Sequence, residues 1–226
     1  MKLVVLRELR SHECRVAATP ETVKKFCGLG LRVMVEQGAG AKACMPDSLY
    51  QEAGAELFSD RKVLIDADIV LKVQRPLFGK EGGGPEFMNL KDGALLLGLL
   101  DPGANSEQVE EYAHRKVIAA SLELLPRITR AQSMDVLSSQ SNLAGYKAVI
   151  DAAATFDRAM PMMMTAAGTI APAKVFVLGA GVAGLQAIAT ARRLGAVVSA
   201  TDVRPVVKEQ VESLGAKFVM IESEES

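Results

Sequence analysis

A glycine-rich turn between an apolar strand and an apolar helix constrains the fold of this chain more than any other feature. Residues 179–184 read G-x-G-x-x-G and directly follow the apolar run 175–178. A second apolar run ends at Thr201 and Asp202, about 20 residues beyond the turn, the spacing at which a ribose-binding acid is expected. This order of strand, turn, helix and strand predicts a dinucleotide-binding Rossmann unit.

Each position of this segment, called here the glycine turn, has a physical role in such a unit. Gly179 allows the tight turn, Gly181 lets the backbone approach a pyrophosphate, and Gly184 permits close packing of helix on strand. Val182 and Ala183 lie between these glycines, where the helix N-terminus offers N–H donors to phosphates. The alternative is a glycine-rich turn of an α/β protein that binds no ligand.

Asp202 predicts the identity of the nucleotide. Its carboxylate is placed to accept hydrogen bonds from the adenosine ribose, and its charge would repel a 2′-phosphate, so NAD is favoured over NADP. Val203 belongs to the same predicted site. Arg204 favours NADP instead, because an arginine at this point can bind a 2′-phosphate.

Short apolar runs alternate with helical patterns along the 226 residues, which is typical of α/β proteins with parallel sheets. We predict two Rossmann-like lobes joined by a long helix over about 138–160. The N-terminal α/β domain covers 1–137, the linker helix and connection 138–170, and the NAD-binding domain 171–226. This last domain has only the first half of a Rossmann fold, so we expect it to be truncated at its C-terminal side.

Composition excludes several classes of function. The net charge is −1, with both signs interspersed, so nucleic acid is not an expected partner. Three irregularly spaced cysteines and two histidines suit reduced thiols in a cytosolic compartment, and we predict no metal site. No signal or transit peptide is evident, and the longest apolar run, 94–100, is too short to span a bilayer. Contact with a membrane is therefore expected only through a partner.

The stretch 126–146, PRITRAQSMDVLSSQSNLAGY, resembles the loop and following helix of the NAD(H)-binding components of proton-translocating nicotinamide nucleotide transhydrogenases. The resemblance extends over essentially the whole chain. It also includes residues 15–20, 72–76, 162–168, and the segment from the glycine turn to Val211.

This resemblance implies direct hydride transfer between NAD(H) bound here and NADP(H) carried by a partner component. It implies that Arg127, Gln132 and Asp135 form a catalytic loop beside the nicotinamide ring. Arg127 and Asp135, with Ser138, would bind the carboxamide and ribose, and Gln132 would reach toward NADP(H). A purely structural alternative is that Arg127 caps backbone carbonyls and Asp135 caps the helix that begins near Ser138.

The resemblance also implies an assembly. A membrane component would couple hydride transfer to proton translocation, and the chain would lie peripherally on the cytoplasmic face of a bacterial inner membrane, without inserting. A homodimer is implied too, and the apolar helix 143–154, rich in small residues, could pack against the second subunit.

Two further alternatives remain. Alanine dehydrogenases share this architecture, and Arg15 and Lys72 match the arginine and lysine that hold their substrate. Their catalytic histidine has no counterpart in 97–102, which reads LGLLDP. Amino-acid oxidation needs a base with a pKa near 7, whereas transfer between two nicotinamides does not. We therefore favour transhydrogenase and expect Arg15 and Lys72 to form structural ion pairs. The last alternative is a catalytically silent fragment that holds the adenosine end weakly.

Overall fold

The computed structural model of the protein describes residues 1–81, 89–126 and 128–220. The chain divides into two compact units, Met1–Met134 and Asp135–Ser226. Within the described stretches, no helix is both long enough and apolar enough to cross a membrane.

The first unit is a six-stranded parallel sheet with helices on its connections. Its elements are β1 (Lys2–Val5), α1 (Pro20–Gly28), β2 (Arg32–Glu36), α2 (Asp47–Glu52), β3 (Glu56–Phe58), β4 (Ile69–Gln74), β5 (Leu95–Leu99), α3 (Ser106–His114) and β6 (Ile118–Ser121). The strand order is β3-β2-β1-β4-β5-β6, and every neighbouring pair is parallel. This is the order of a doubly wound Rossmann sheet, with its reversal between β1 and β4.

Both faces of this sheet are buried. Successive side chains of a strand point to opposite faces, and β1 follows this rule: Val4 packs in one core with Leu96 and Tyr112. Val5 packs in a second core with Tyr50. Such burial on two sides explains why the strands read as continuous apolar runs.

The second unit has a smaller parallel sheet preceded by a long helix and a hairpin. Its elements are α4 (Val136–Thr155), β7 (Met163–Thr165), β8 (Gly168–Ile170), β9 (Lys174–Leu178), α5 (Val182–Arg193), β10 (Val197–Thr201), α6 (Lys208–Ser213) and β11 (Lys217–Phe218). The order β11-β10-β9 is fully parallel and is that of the first half of a Rossmann domain. The α/β fold class with two Rossmann-like parallel sheets is thereby confirmed.

Helix α4 differs in its bounds from the helix predicted over about 138–160. It begins at Val136, because the Asp135 side chain caps its first turn, and it ends at Thr155, because Phe156 adopts an extended conformation. Its packing partner is α5, so it is part of the second unit. The residues that follow form the antiparallel β7–β8 hairpin.

Helices cover one face of the second sheet. Val175 and Val177 pack into a core that includes Ile188 and Val198. Phe176 and Leu178 alternate with these valines and are 52% and 78% exposed. Among the described residues, β9 pairs with β10 alone, so it forms one edge of this sheet.

Candidate nucleotide site

The glycine turn leaves the carboxyl edge of the second sheet together with Asp202. Leu178, the last residue of β9, is in register with Thr201, the last of β10. The Gly179 N–H donates to the Thr201 carbonyl oxygen at 2.8 Å, which fixes the turn to the end of β10. Gly179 has φ of +92°, where a side chain would be strained. The register therefore explains why two segments far apart in sequence meet here.

The remaining glycines of the turn fit a phosphate cradle. A Cβ atom on Gly184 would lie 1.8 Å from the Gly179 carbonyl oxygen, so this position allows helix α5 to pack on the turn only as glycine. A Cβ on Gly181 would meet nothing within 4 Å, so the space in front of the backbone is open. Gly181 is the N-cap of α5, and Val182 and Ala183 begin the helix. The first-turn N–H groups have no acceptor within the helix and can bind an anion.

Asp202 is held rigidly beside this cradle. Its Oδ2 accepts from the Ala180 N–H at 2.7 Å, and its Oδ1 accepts from the Arg204 N–H at 2.9 Å. Its side chain is 6% exposed. The Arg204 guanidinium and, next, the Ala180 amide hold the pKa of this carboxyl well below its usual range. The group is therefore a fixed negative charge at neutral pH.

Arg204 closes over this carboxylate. Its Nε and Nη2 donate to the two oxygens of Asp202 at 2.9 and 3.1 Å. With the two backbone amides, four N–H groups occupy the roughly four acceptor sites of a carboxylate. The Arg204 side chain is 57% exposed, so its two hydrogen bonds to Asp202 lie at the solvent surface. Val203, between them, is 96% exposed.

Asp135 and Ser138 form the second group of predicted site residues that the structure brings together. Asp135 is the N-cap of α4: its Oδ1 accepts from the Ser138 N–H at 2.9 Å, and its Oδ2 accepts from the Ser138 hydroxyl at 2.6 Å. The capping interaction considered as a structural alternative is therefore present. Capping leaves both side chains at the helix N-terminus, where they are partly exposed.

Of the other two predicted catalytic residues, the structure describes Gln132. Gln132 is exposed in a 3-10 segment of the first unit, Thr129–Met134. Arg127 lies outside the described residues. The structure thus places the glycine turn with Asp202 and Arg204, and Asp135 with Ser138.

Gly145 is a residue of this region that the sequence patterns did not single out. A Cβ on Gly145 would lie 2.1 Å from the Ala183 carbonyl oxygen, so the backbones of α4 and the glycine turn are in direct contact at this point. The sequence contains one indication of this contact, namely a glycine in the interior of a predicted helix. Glycine in the interior of a helix costs roughly 1 kcal/mol relative to alanine, and its presence there indicates a packing requirement.

A cluster of charged residues lies at the carboxyl ends of β1 and β4 in the first unit. Lys72 Nζ lies 3.6 Å from Glu8 Oε2, and both side chains are almost fully buried. Arg15 donates to Glu13, with an Nη2–Oε2 distance of 2.7 Å. This hydrogen bond from Arg15 is the main reason that the pKa of Glu13 falls to about 2. The ion pairs expected for Arg15 and Lys72 are present.

Comparison with known proteins gives the family of the chain. Residues 4–144 match the model of the N-terminal domain of the alanine dehydrogenase/PNT family. Residues 148–226 match the model of its C-terminal domain. The two matches together cover nearly the whole chain.

Individual relatives are similar over the same extent. An NAD(P) transhydrogenase subunit alpha chain from Rhodospirillum rubrum is 57% identical over 225 residues, which cover 99% of this chain and 58% of the relative. A solved transhydrogenase from Sinorhizobium meliloti is 54% identical with a TM-score of 0.92, covering 98% of this chain and 62% of that one. Alanine dehydrogenase 2 from Staphylococcus aureus is 30% identical over 217 residues, covering 95% of this chain and 56% of the relative. The chain spans about three fifths of the length of these proteins, and it belongs to the alanine dehydrogenase/PNT family, with greater similarity to the two transhydrogenases than to this dehydrogenase.

Proposed function

We propose that this chain binds NAD(H) at the glycine turn and takes part in direct hydride transfer to or from NADP(H) on a separate component. The observation that carries the proposal is the pairing of the turn with Asp202, which Ala180 holds at 2.7 Å. In a Rossmann unit, the pyrophosphate binds at such a turn and the adenosine ribose binds at such an acid. The open space at Gly181 supports the same assignment.

The charge balance at Asp202 supports NAD over NADP. The ribose hydroxyls take the two acceptor sites that Arg204 vacates when its exposed side chain swings away, while the Ala180 and Arg204 amides keep the carboxylate in place. A 2′-phosphate at that point would face the fixed negative charge of Asp202. The exposed side chain of Val203 offers apolar surface to the adenine ring.

The nicotinamide end is assigned through the family. NADH would supply the hydride, and the residues of this chain would hold its ring in one orientation for transfer to the second nicotinamide. Arg127, Asp135 and Ser138 would hold the carboxamide and ribose, and Gln132 would orient the ring toward NADP(H). Guanidinium, carboxylate, hydroxyl and amide groups fix a carboxamide without exchanging protons with it.

The partners follow from the same relatives. We place the chain in a complex with an NADP(H)-binding component and a membrane component that translocates protons, on the cytoplasmic face of a bacterial membrane. The name of the Rhodospirillum rubrum relative, a subunit alpha, supports an assembly of several subunits. A homodimer is supported by apolar surface on α4, where Leu143 and Tyr146 are 58% and 48% exposed.

An alanine dehydrogenase activity is the second candidate, since that enzyme is a relative with the same family domains. Two observations disfavour it. Residues 97–102 contain no histidine to act as the base. Arg15 and Lys72, which match the substrate-holding residues, are instead paired with Glu13 and Glu8.

The test compares the 226-residue chain with a form extended to the length of its relatives. Each is mixed with an NADP(H)-binding component, and hydride transfer from NADH to an NADP⁺ analogue is followed beside a control with NAD⁺ and L-alanine. Transfer without alanine oxidation supports the proposal. Alanine-dependent NADH formation would refute it. Transfer by the extended form alone would show that the shorter chain is a binding fragment.

A further inference from the structure

Helix α4 carries contacts to both ends of the proposed NAD site. Its N-terminus presents Asp135 and Ser138, the pair assigned to the nicotinamide end. About two helical turns further along lies Gly145, roughly 10 Å from Ser138 along the helix axis. There α4 meets Ala183, a residue of the glycine turn assigned to the pyrophosphate. A single rigid element therefore spans the distance between the two assigned sites.

The contact between Gly145 and Ala183 leaves no room for adjustment. A Cβ on Gly145 would lie 2.1 Å from the carbonyl oxygen of Ala183 and 2.8 Å from its carbonyl carbon, so two backbones are in direct contact. Flanking contacts lie on the same side of α4. Asn142 Nδ2 donates to Gln186 Oε1 at 3.3 Å, and Val149 is 7% exposed.

Ordinary helix packing does not require this arrangement. Most helix pairs are separated by interdigitating side chains, which can shift when one residue changes. Here the interhelical distance is set by backbone on backbone, and the contacted residue belongs to the glycine turn itself. The closest approach of α4 to that turn is thus limited at Gly145.

We infer that Gly145 is a positioning residue for the cofactor. By contacting Ala183 directly, it fixes the separation between the turn that holds the pyrophosphate and the Asp135–Ser138 pair that holds the nicotinamide end. The inference rests on the proposed NAD(H) binding and adds a residue that touches neither the nucleotide nor the reacting atoms.

The geometry gives the size of the expected effect. Contacts of a Cβ atom below 3.0 Å are essentially never observed, so alanine at 145 moves α4 or the turn by about 1 Å. A misplacement of about 1 Å can change a rate by on the order of 100-fold when groups must be aligned. Where α4 takes up the movement, the adenosine end stays in place, because Gly179 is hydrogen-bonded to Thr201 at the end of β10 and Asp202 directly follows that strand.

The experiment separates the two ends of the site with two ligands. The unsubstituted chain, Gly145→Ala and Gly28→Ala are titrated with ADP, which carries adenosine and pyrophosphate only, and with NADH. Gly145→Ala should keep its ADP affinity within about twofold and lose about tenfold in its preference for NADH over ADP. Gly28→Ala is the matched control, because it is also helical and its added Cβ meets nothing within 4 Å. It should change neither affinity.

A second, milder variant keeps the test decisive if Gly145→Ala fails to fold. Asn142→Ala removes an exposed side-chain hydrogen bond across the same helix pair. It should lower the NADH preference in the same direction, by about twofold. Equal loss of both ligands, or an unchanged preference in both variants, would overturn the positioning role while leaving NAD(H) binding intact. Failure of the unsubstituted chain to bind either ligand would overturn the proposed function, and this inference with it.

Discussion

Replacing Asp202 with asparagine tests the nucleotide assignment most directly, because it keeps the shape of the side chain and removes its charge. The carboxylate accepts from the backbone amides of Ala180 and Arg204 at 2.7 and 2.9 Å, which leaves two acceptor sites for the ribose hydroxyls once the Arg204 guanidinium has moved away. Asparagine retains one oxygen and turns the other into an N–H donor, so one of the two backbone amides loses its acceptor and the ribose hydroxyls lose a charged acceptor. Such a loss raises a Kd by about 10- to 100-fold.

The assay is a fluorescence titration with NADH and, separately, with NADPH at constant ionic strength. Asp202→Asn should weaken NADH binding by that factor. It should also reduce discrimination against NADPH, because the repulsion is removed and the Arg204 guanidinium is released to meet a 2′-phosphate. Asp151→Asn is a suitable control, since Asp151 is an exposed carboxylate of the same unit paired with Lys147. Unchanged affinity and preference in Asp202→Asn would mean that the adenosine binds elsewhere.

Three other substitutions test the site and its scaffold. Gln132→Asn should slow hydride transfer far more than it weakens NADH binding, because the shorter amide no longer aligns the two rings; equal losses in stopped-flow and titration experiments would refute that role. Gly184→Ala should abolish binding of both ADP and NADH and lower the unfolding free energy in urea by about 1–3 kcal/mol, because its Cβ would lie 1.8 Å from the Gly179 oxygen; an unchanged urea midpoint contradicts this. Glu13→Gln should lower the unfolding free energy at pH 7 by about 1 kcal/mol, less than the roughly 3 kcal/mol that the pKa shift alone allows, because the Arg15 partner is 40% exposed and screened. Because the pKa of Glu13 is lower in the folded state, its carboxylate stabilises the fold at pH values above its unfolded-state pKa, and this stabilisation is lost as the pH falls. The difference in unfolding free energy between the two proteins should therefore shrink between pH 4.5 and about 2; a difference independent of pH would refute it.

The parts of the site that depend on local sequence were predictable. The spacing of Gly179, Gly181 and Gly184 reports backbone requirements, and each requirement is met by a close contact, an open space or a positive φ in the structure. Asp202 was predictable because it directly follows a strand that pairs with the strand before the turn. Local patterns suffice where neighbours in space are set by the register of two parallel strands.

The rest depends on which side chains meet in three dimensions. The closure of Arg204 over Asp202 was not predictable, because an arginine beside an acid suits either an ion pair or a phosphate contact, and only the geometry decides. The dual position of Asp135, as cap and as proposed ligand group, depends on where α4 starts. Gly145 required knowledge of what lies across the helix, which a single sequence does not record.

The uncovered side of the second sheet has a practical consequence for handling the chain. Strand β9 presents one edge without a neighbouring strand among the described residues, and two of its own side chains, Phe176 and Leu178, are more than half exposed on one face of the sheet. An open apolar edge strand is a template on which another copy can add its own strand. Self-association would then compete with nucleotide binding, and apparent affinities would drift with protein concentration. Titrations repeated over a dilution series distinguish a weak site from one that is masked by aggregation.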